Sequence, residues 1–301
     1  MSRRGSHLSP ATVFFALLSI ALAFALYLKS CPSTPGPPPL AVRRTASPTP
    51  PSHARATLPT RHAAQPSGEL PQKTPSSGGP PEVAIVIDDL GNELSSAERI
   101  AGWREPVTGA VLPGLVHSAQ AARALEEGGK EILLHLPMEP EGYPRVRPGP
   151  GVILRSQSDE EIARTLESDL ASVPGAVGVN NHMGSAATAD PRVMRTVIRA
   201  LARRGLFFLD SRTTDATVAE RTAEEQSVPA LSRRVFLDDD ATETGVRGQL
   251  AELVRRARHE RSAVAIGHPN AVTLSVLEHE LPGLAQQGVR IVKVSELARK
   301  P

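Results

Sequence analysis

The chain has 301 residues, of which 40% are hydrophobic, and its formal net charge at pH 7 is +2. This balance is typical of a globular protein and lacks the strong positive charge of a nucleic-acid-binding protein. Aromatic residues make up only 3% of the chain, which argues against an aromatic platform that stacks bases or sugars. The single cysteine, Cys31, excludes an intramolecular disulfide bond and a zinc site built from cysteines.

An apolar segment near the N-terminus predicts a membrane anchor over residues 1–30. Residues 11–28 carry no charge, and a run of this length falls within the ~17–25 residues that cross a bilayer. Arg3 and Arg4 precede the run, which favours a cytoplasmic N-terminus and places the remainder of the chain across the membrane. A cleaved signal peptide is the alternative, but the segment lacks a small-x-small cleavage site.

The composition changes sharply over residues 31–81. This stretch holds half of the 28 prolines, no aromatic residue, and many Ser, Thr and Ala residues. Such a segment cannot bury enough apolar surface to offset the loss of conformational entropy on folding. We therefore predict a disordered linker here and a single folded domain over residues 82–301.

Within this domain, short apolar runs alternate with amphipathic segments. The predicted strands cover residues 83–87, 107–112, 131–136, 176–180, 206–210, 234–237, 263–267 and 289–293. The clearest helical patterns cover residues 118–127, 159–171, 191–204 and 246–258. This alternation predicts an α/β fold, and the domain length favours an irregular (β/α) barrel of about seven to eight mostly parallel strands.

Polar side chains occur at the carboxyl ends of five predicted strands. They are Asp88 and Asp89, His135, the Asn180–His182 string, Asp210 to Arg212, and His268. Because ligands of parallel α/β folds bind at the carboxyl ends of the strands, we expect these residues to converge on one rim. Core packing does not explain such a convergence, so this rim is the candidate site.

The types of residue at this rim indicate a cation. Asp88 and Asp89 repel each other and are costly to bury unless a cation offsets their charge. His135 could be an ordinary core residue, but with His182 and a carboxylate it forms a ligand set that suits Zn²⁺ with a position left for water. His268 follows a glycine at a strand end, where it suits proton transfer near neutral pH.

Two further groups of charged residues allow a purely structural interpretation. Asp210 and Arg212 could form an ion pair that ties two loops together, or they could belong to the site. The run Asp238-Asp239-Asp240 predicts a solvated turn.

Several strings together resemble the divergent polysaccharide deacetylase family. They are AIVIDDLGN, LLHLPMEP, PGP at residues 148–150, GVNNHMGS with Thr188 and Asp190, FLDSRT, VFLD and AIGHP. They span about Val83 to Val294, which is nearly all of the predicted folded domain. That family is distantly similar to the mainstream polysaccharide deacetylases, in which a deformed (β/α) barrel and a divalent metal remove N- or O-acetyl groups from sugars.

The resemblance implies a role for each matching residue. Asp88 would be the base, Asp89 a metal ligand and His268 the acid. Asp210 and Arg212 resemble the acid and arginine elements that orient the catalytic groups of the mainstream enzymes.

The sequence departs from the mainstream pattern at the metal site. The mainstream His-x-x-x-His motif here has His135 followed by Glu139 in place of the second histidine. The resemblance therefore implies His182 as the third ligand, with Glu139 as the alternative. The mainstream Arg-Pro-Pro string has no match.

These observations predict metal-dependent hydrolysis of acetyl groups from an envelope polysaccharide or oligosaccharide. Metal-bound water would be the nucleophile and zinc the metal. The expected location is the bacterial cell envelope, with an anchor in the inner membrane and the folded domain in the periplasm; the expected partners are the glycan and the membrane, not nucleic acid. An inactive glycan-binding or scaffold protein that keeps the barrel is the alternative. A magnesium phosphate site is disfavoured because it needs a lysine at the rim and no histidine.

Overall fold

The structure is a computed structural model that describes residues 79–298. The predicted anchor, and the predicted linker up to residue 78, lie outside the described residues. Among the helices of residues 79–298, none combines the length and the apolar character that crossing a membrane requires.

The described chain forms one parallel sheet, and a helix connects most pairs of successive strands. The strands are β1 (Glu82–Leu90), β2 (Thr108–Val111), β3 (Glu131–Met138), β4 (Gly178–Met183), β5 (Phe207–Asp210), β6 (Ala230–Ser232), β7 (Val235–Phe236), β8 (Ser262–Gly267) and β9 (Arg290–Ile291). Their order is β6-β5-β4-β3-β2-β1-β8-β7, and β9 pairs with the start of β1. Because β6 and β7 end this order although they are neighbours in sequence, the barrel is incomplete between them.

The first seven helices of the described chain pack on the outside of this sheet, and the last one packs against its interior face. They are α1 (Leu94–Ala101), α2 (Ser118–Glu127), α3 (Asp159–Ser172), α4 (Pro191–Arg204), α5 (Ala219–Glu225), α6 (Glu243–Glu260), α7 (Ala271–Leu284) and α8 (Val294–Ala298), with a 3₁₀ turn at Ala285–Gln287. Local sequence signals define several ends. Ser158 and Glu161 form a capping box at the start of α3, and Gly205 ends α4 in the left-handed conformation.

The predicted parallel α/β fold is confirmed. All eight predicted strands and the four named helices are present within a few residues of the predicted bounds. Strand β6 was not predicted, because three residues are too few to show a strand period.

Both faces of the central strands are buried, as their continuous apolar runs predict. One face packs against the helices through residues such as Leu134 and Phe208. The other face fills the barrel interior, where Leu133 and Ile266 pack with Val294 of α8. The backbone N–H of Ser295 donates to Glu131 at the start of β3. Helix α8 therefore lies at the end where the strands begin, and the carboxyl ends remain available for the site.

Candidate metal centre

A β-bulge brings the two adjacent aspartates to the same place. Between Ile87 and Leu90, β1 has one residue more than the facing segment of β2. Asp89 adopts a φ of 57°, a left-handed conformation that costs about 1–2 kcal/mol for a residue with a Cβ. A bulge interrupts the normal alternation of side chains, so Asp88 and Asp89 both line one cleft.

Three side chains converge at this bulge to form what we call the triad: Asp89, His135 and His182. The distance from Asp89 Oδ1 is 3.2 Å to His135 Nε2 and 2.9 Å to His182 Nδ1. The two nitrogens are 3.1 Å apart. Ligands that hold zinc tetrahedrally at ~2.0–2.1 Å lie roughly 3.3 Å from one another, so the triad has the spacing of ligands around one ion.

The environment of Asp89 also fits a cation. Its Oδ1 is buried and accepts no hydrogen bond of normal geometry, although two imidazole nitrogens face it. Burial opposes ionisation of Asp89, but the imidazoles of His135 and His182 hold its pKa well below the usual range. Two nitrogens and one anionic oxygen form a donor set that zinc accepts readily.

Asn180 orients His135 toward the triad. The amide Nδ2 of Asn180 donates to Asp88 Oδ1 over 2.8 Å, so its Oδ1 faces His135 Nδ1, 2.9 Å away. Because an amide oxygen only accepts, His135 Nδ1 carries the proton and Nε2 presents its lone pair to the triad. Burial lowers the pKa of His135, but the Asp88 and Asp89 carboxylates outweigh it and raise that pKa.

Asp88 lies directly beside the triad. Its side chain is 4% exposed, and its Oδ2 is 3.5 Å from His135 Nε2. Burial raises the pKa of Asp88 although His135 and the Asn180 hydrogen bond oppose the rise. A carboxylate with a raised pKa is a better proton acceptor at neutral pH.

His268 approaches the triad from β8. Gly267 pairs with Ile87 of β1, which places His268 next to Asp88 at the strand ends. The His268 Nδ1 is 3.1 Å from Asp238 Oδ1, and its Nε2 is 3.9 Å from Asp89 Oδ2. Burial lowers the pKa of His268, but Asp238 foremost, and then the charges of the site aspartates, raise it overall.

The prediction that Asp238 belongs to a solvated turn was wrong. Its side chain is 1% exposed and accepts the backbone N–H of His268 over 2.7 Å. Asn270 and Thr273 also donate to its Oδ2, each over 2.9 Å. Burial opposes ionisation, yet these bonds lower the pKa of Asp238. Its place directly after the Val-Phe-Leu run was the signal that could have identified it.

Three other sequence-predicted residues lie outside this cluster. Asp210 is buried, which raises its pKa, and it accepts the backbone N–H of Arg212 over 2.8 Å. The Arg212 guanidinium instead lies 3.5 Å from Asp215, so the structure has no Asp210–Arg212 ion pair between side chains. Glu139, the alternative ligand, is bound by Arg155 through its backbone N–H (2.6 Å) and Nε (3.1 Å) and does not join the triad.

Two clefts meet at the triad. The main cleft, with a volume of about 470 Å³, contains Asp88 and His268 together with Ser211, Arg233, Phe236 and Asp239. The proline cleft, of about 240 Å³, is lined by Leu112, Pro113, Leu115, Pro137, Arg147 and residues 148–150. Asp89 and His182 border both clefts, so an extended ligand can run past the triad. Ser211 belongs to the predicted polar end of the fifth strand, whereas sequence reasoning missed Arg233 because it follows a very short strand and has no pattern of its own.

Comparisons with known proteins agree with this architecture. The family described as divergent polysaccharide deacetylase matches residues 85–298. The uncharacterized protein YibQ of Escherichia coli (strain K12) is 36% identical over 220 residues, which cover 73% of this chain and 68% of the relative. An uncharacterized protein of Haemophilus influenzae is 36% identical over 218 residues, covering 72% of this chain and 77% of the relative.

Among solved structures, the uncharacterized protein ATU2773 from Agrobacterium tumefaciens C58 superimposes with a TM-score of 0.70 at 27% identity. The superposition covers 74% of this chain and 91% of that one. Residues 85–298, which match the family model, contain all of the triad, as well as Asp88, Asp238 and His268. The chain belongs to the divergent polysaccharide deacetylase family.

Proposed function

We propose that this chain is a metal-dependent hydrolase that removes acetyl groups from an envelope polysaccharide or oligosaccharide. The observation that carries the proposal is the arrangement of two proton-transfer groups around the triad. Asp88 Oδ2 lies 3.5 Å from His135, and His268 Nε2 lies 3.9 Å from Asp89. Family membership supports a carbohydrate deacetylase fold for this arrangement.

Asp89, His135 and His182 would hold a divalent cation, for which zinc is the expected choice. Such a cation would supply Lewis-acid polarisation of the acetyl carbonyl and would lower the pKa of water. The protein orients the ligands in advance, because Asn180 fixes the His135 ring and the bulge aims Asp89 into the site.

Asp88 and His268 then move the protons of the hydrolysis. Asp88 accepts a proton from the attacking water. It is buried and close to the triad, and Asn180 donates a hydrogen bond to its Oδ1, so that its Oδ2 is the oxygen that accepts the proton. His268 donates a proton to the departing nitrogen or oxygen of the sugar. Asp238 holds the Nδ1 side of this imidazole, so that the Nε2–H faces the cleft.

The two clefts support a substrate longer than one sugar. Each borders the triad on a different set of loops, and together they form a path on both sides of the reacting group. A glycan unit bound between Asp88 and His268 could therefore continue into the main cleft and into the proline cleft.

The test is acetate release from acetylated chitooligosaccharides by the zinc-loaded protein, compared with Asp88→Asn. We expect the variant to lose at least ~100-fold in kcat and to retain its metal, because Asp88 is not part of the triad. Unchanged acetate release by Asp88→Asn would refute the role of Asp88. If the unsubstituted protein binds the glycan and releases no acetate, the chain is instead an inactive glycan-binding protein.

The cellular location belongs to the same proposal. The uncharged run at residues 11–28, preceded by Arg3 and Arg4, supports an inner-membrane anchor with the folded domain in the periplasm. Protease added to spheroplasts should then degrade the domain while a cytoplasmic marker survives. Protection of the domain until the membrane is lysed would refute this location.

A further inference from the structure

The main cleft contains an arginine that is held in place before any ligand arrives. The Nε of Arg233 donates to the Ser211 carbonyl over 2.8 Å, and one terminal nitrogen donates to the Arg212 carbonyl over 3.1 Å. The guanidinium carbon also lies 4.9 Å from the centre of the Phe236 ring. A guanidinium fixed in this way has already lost most of its side-chain freedom, so an anion can bind to it at a small entropic cost.

Among residues 79–298, Arg233 forms no direct ion pair, since no carboxylate oxygen lies within 4.0 Å of its guanidinium. The carboxylates of Asp239, Asp210 and Asp88 act on its charge only from farther away, and Asp88 and Asp239 line the same cleft. Other arginines nearby do have such partners; the neighbouring Arg234, for example, lies 3.4 Å from Glu260. A half-buried guanidinium without an acidic partner points to an anion supplied by the ligand.

An anion bound to Arg233 would lie close to His268, the proposed proton donor of the hydrolysis. The Phe236 ring that stacks on Arg233 is also 5.2 Å from the His268 ring, between centroids. Arg233 thus stands one aromatic ring away from the group that would protonate the departing sugar atom. This separation suits a substituent on the same sugar or on the sugar linked to it.

We infer that the main cleft selects acetylated glycans that carry a carboxylate, and that Arg233 binds this carboxylate. The inference rests on the proposed deacetylation and adds the class of substrate. A carboxylate is favoured because its two oxygens match the paired N–H groups along one edge of a guanidinium. Arg233 is therefore a specificity-determining residue, and the chemistry itself remains with Asp88 and His268.

The test compares two disaccharides that differ only in a lactyl ether carrying a carboxylate: N-acetylglucosaminyl-N-acetylmuramic acid and N,N′-diacetylchitobiose. Dissociation constants are measured by calorimetry on the full-length, zinc-loaded Asp88→Asn protein, in which turnover is blocked. We expect the acidic disaccharide to bind about tenfold tighter or more, the range of one charge-assisted hydrogen bond. Adding Arg233→Gln should abolish this preference, whereas Arg234→Gln, which removes the same charge from the next residue, should retain it.

A second measurement needs no substitution of Arg233. The methyl ester of the acidic disaccharide keeps its shape and loses its charge, so it should bind about as weakly as the chitobiose. Equal binding of acid and ester, no binding of the acid, or a preference that survives Arg233→Gln would each overturn the inference. Acetate release by the unsubstituted protein is measured separately: its absence counts against the proposed hydrolysis, while the carboxylate preference is judged from binding alone.

Discussion

Asp169 in α3 is a buried carboxyl group whose ionisation should control the stability of the fold. The residue is 5% exposed, and its Oδ2 has no hydrogen-bond partner among the described residues. Its carboxyl packs against Gly151, where a Cβ atom would come within 2.2 Å of it. Burial raises the pKa of Asp169 from its ordinary value of 3.8 to about 8. The folded protein therefore keeps this group protonated at neutral pH.

The sign of the pH dependence follows from proton uptake. Between about pH 4 and pH 8 the folded state binds one proton more at Asp169 than the unfolded chain does, so this group makes the free energy of unfolding fall as the pH rises. The contribution of Asp169 to the free energy of unfolding is complete below the pKa that Asp169 has in the unfolded chain. It is lost as the pH rises through the pKa that Asp169 has in the folded protein. At about 1.36 kcal/mol per pH unit, the loss between pH 5 and pH 8 is about 4 kcal/mol, an upper value because the site can relax.

The variant Asp169→Asn removes this titration. Urea unfolding followed by circular dichroism should show the wild-type protein losing up to about 4 kcal/mol relative to the variant between pH 5 and pH 8. Glu160→Gln changes an exposed carboxylate of the same helix and should show no such divergence. If the wild-type and Asp169→Asn curves stay parallel over this range, Asp169 does not titrate with a raised pKa and the reasoning fails.

Three further predictions concern the site and its supporting sheet. His182→Ala should weaken zinc binding by ~100-fold or more, and Glu139→Gln should leave it nearly unchanged; metal titration that shows the reverse would make Glu139 the ligand. Asp238→Asn removes the main group that raises the pKa of His268, so the alkaline limb of the kcat/KM profile, where the acid loses its proton, should move to lower pH; an unmoved limb would contradict this. Gly178→Ala places a Cβ 2.6 Å from the ring of a β5 neighbour and should lower the free energy of unfolding by about 1–3 kcal/mol; unchanged urea unfolding would refute this.

Much of the fold could be predicted because the strands are buried on both faces. Such strands appear as continuous apolar runs, and residues 83–87 and 263–267 are clear examples. The short strand β6 shows the limit of this signal. Its three residues have no period, and its position at the edge of the sheet follows from where the incomplete barrel stops pairing.

Much of the candidate site could also be predicted, because polar residues after apolar runs mark the carboxyl ends of strands. Asp89, His135 and His182 were selected on this basis, and the structure brings their ligand atoms within 3.2 Å of each other. The same rule would also have selected Asp238, which directly follows the Val-Phe-Leu run and is buried against His268, but its place in a run of three aspartates indicated a solvated turn instead.

The sequence by itself determined the parallel α/β architecture, the rim that carries the site and the residue types available there, since these depend on local hydrophobic patterns. Only the tertiary structure decided the tasks of individual side chains. The bulge turns Asp88 and Asp89 into one cleft, Arg155 binds Glu139 away from the triad, and two carbonyls hold Arg233. These outcomes depend on contacts between segments distant in sequence, which exist only after the strands have paired and the barrel has curved.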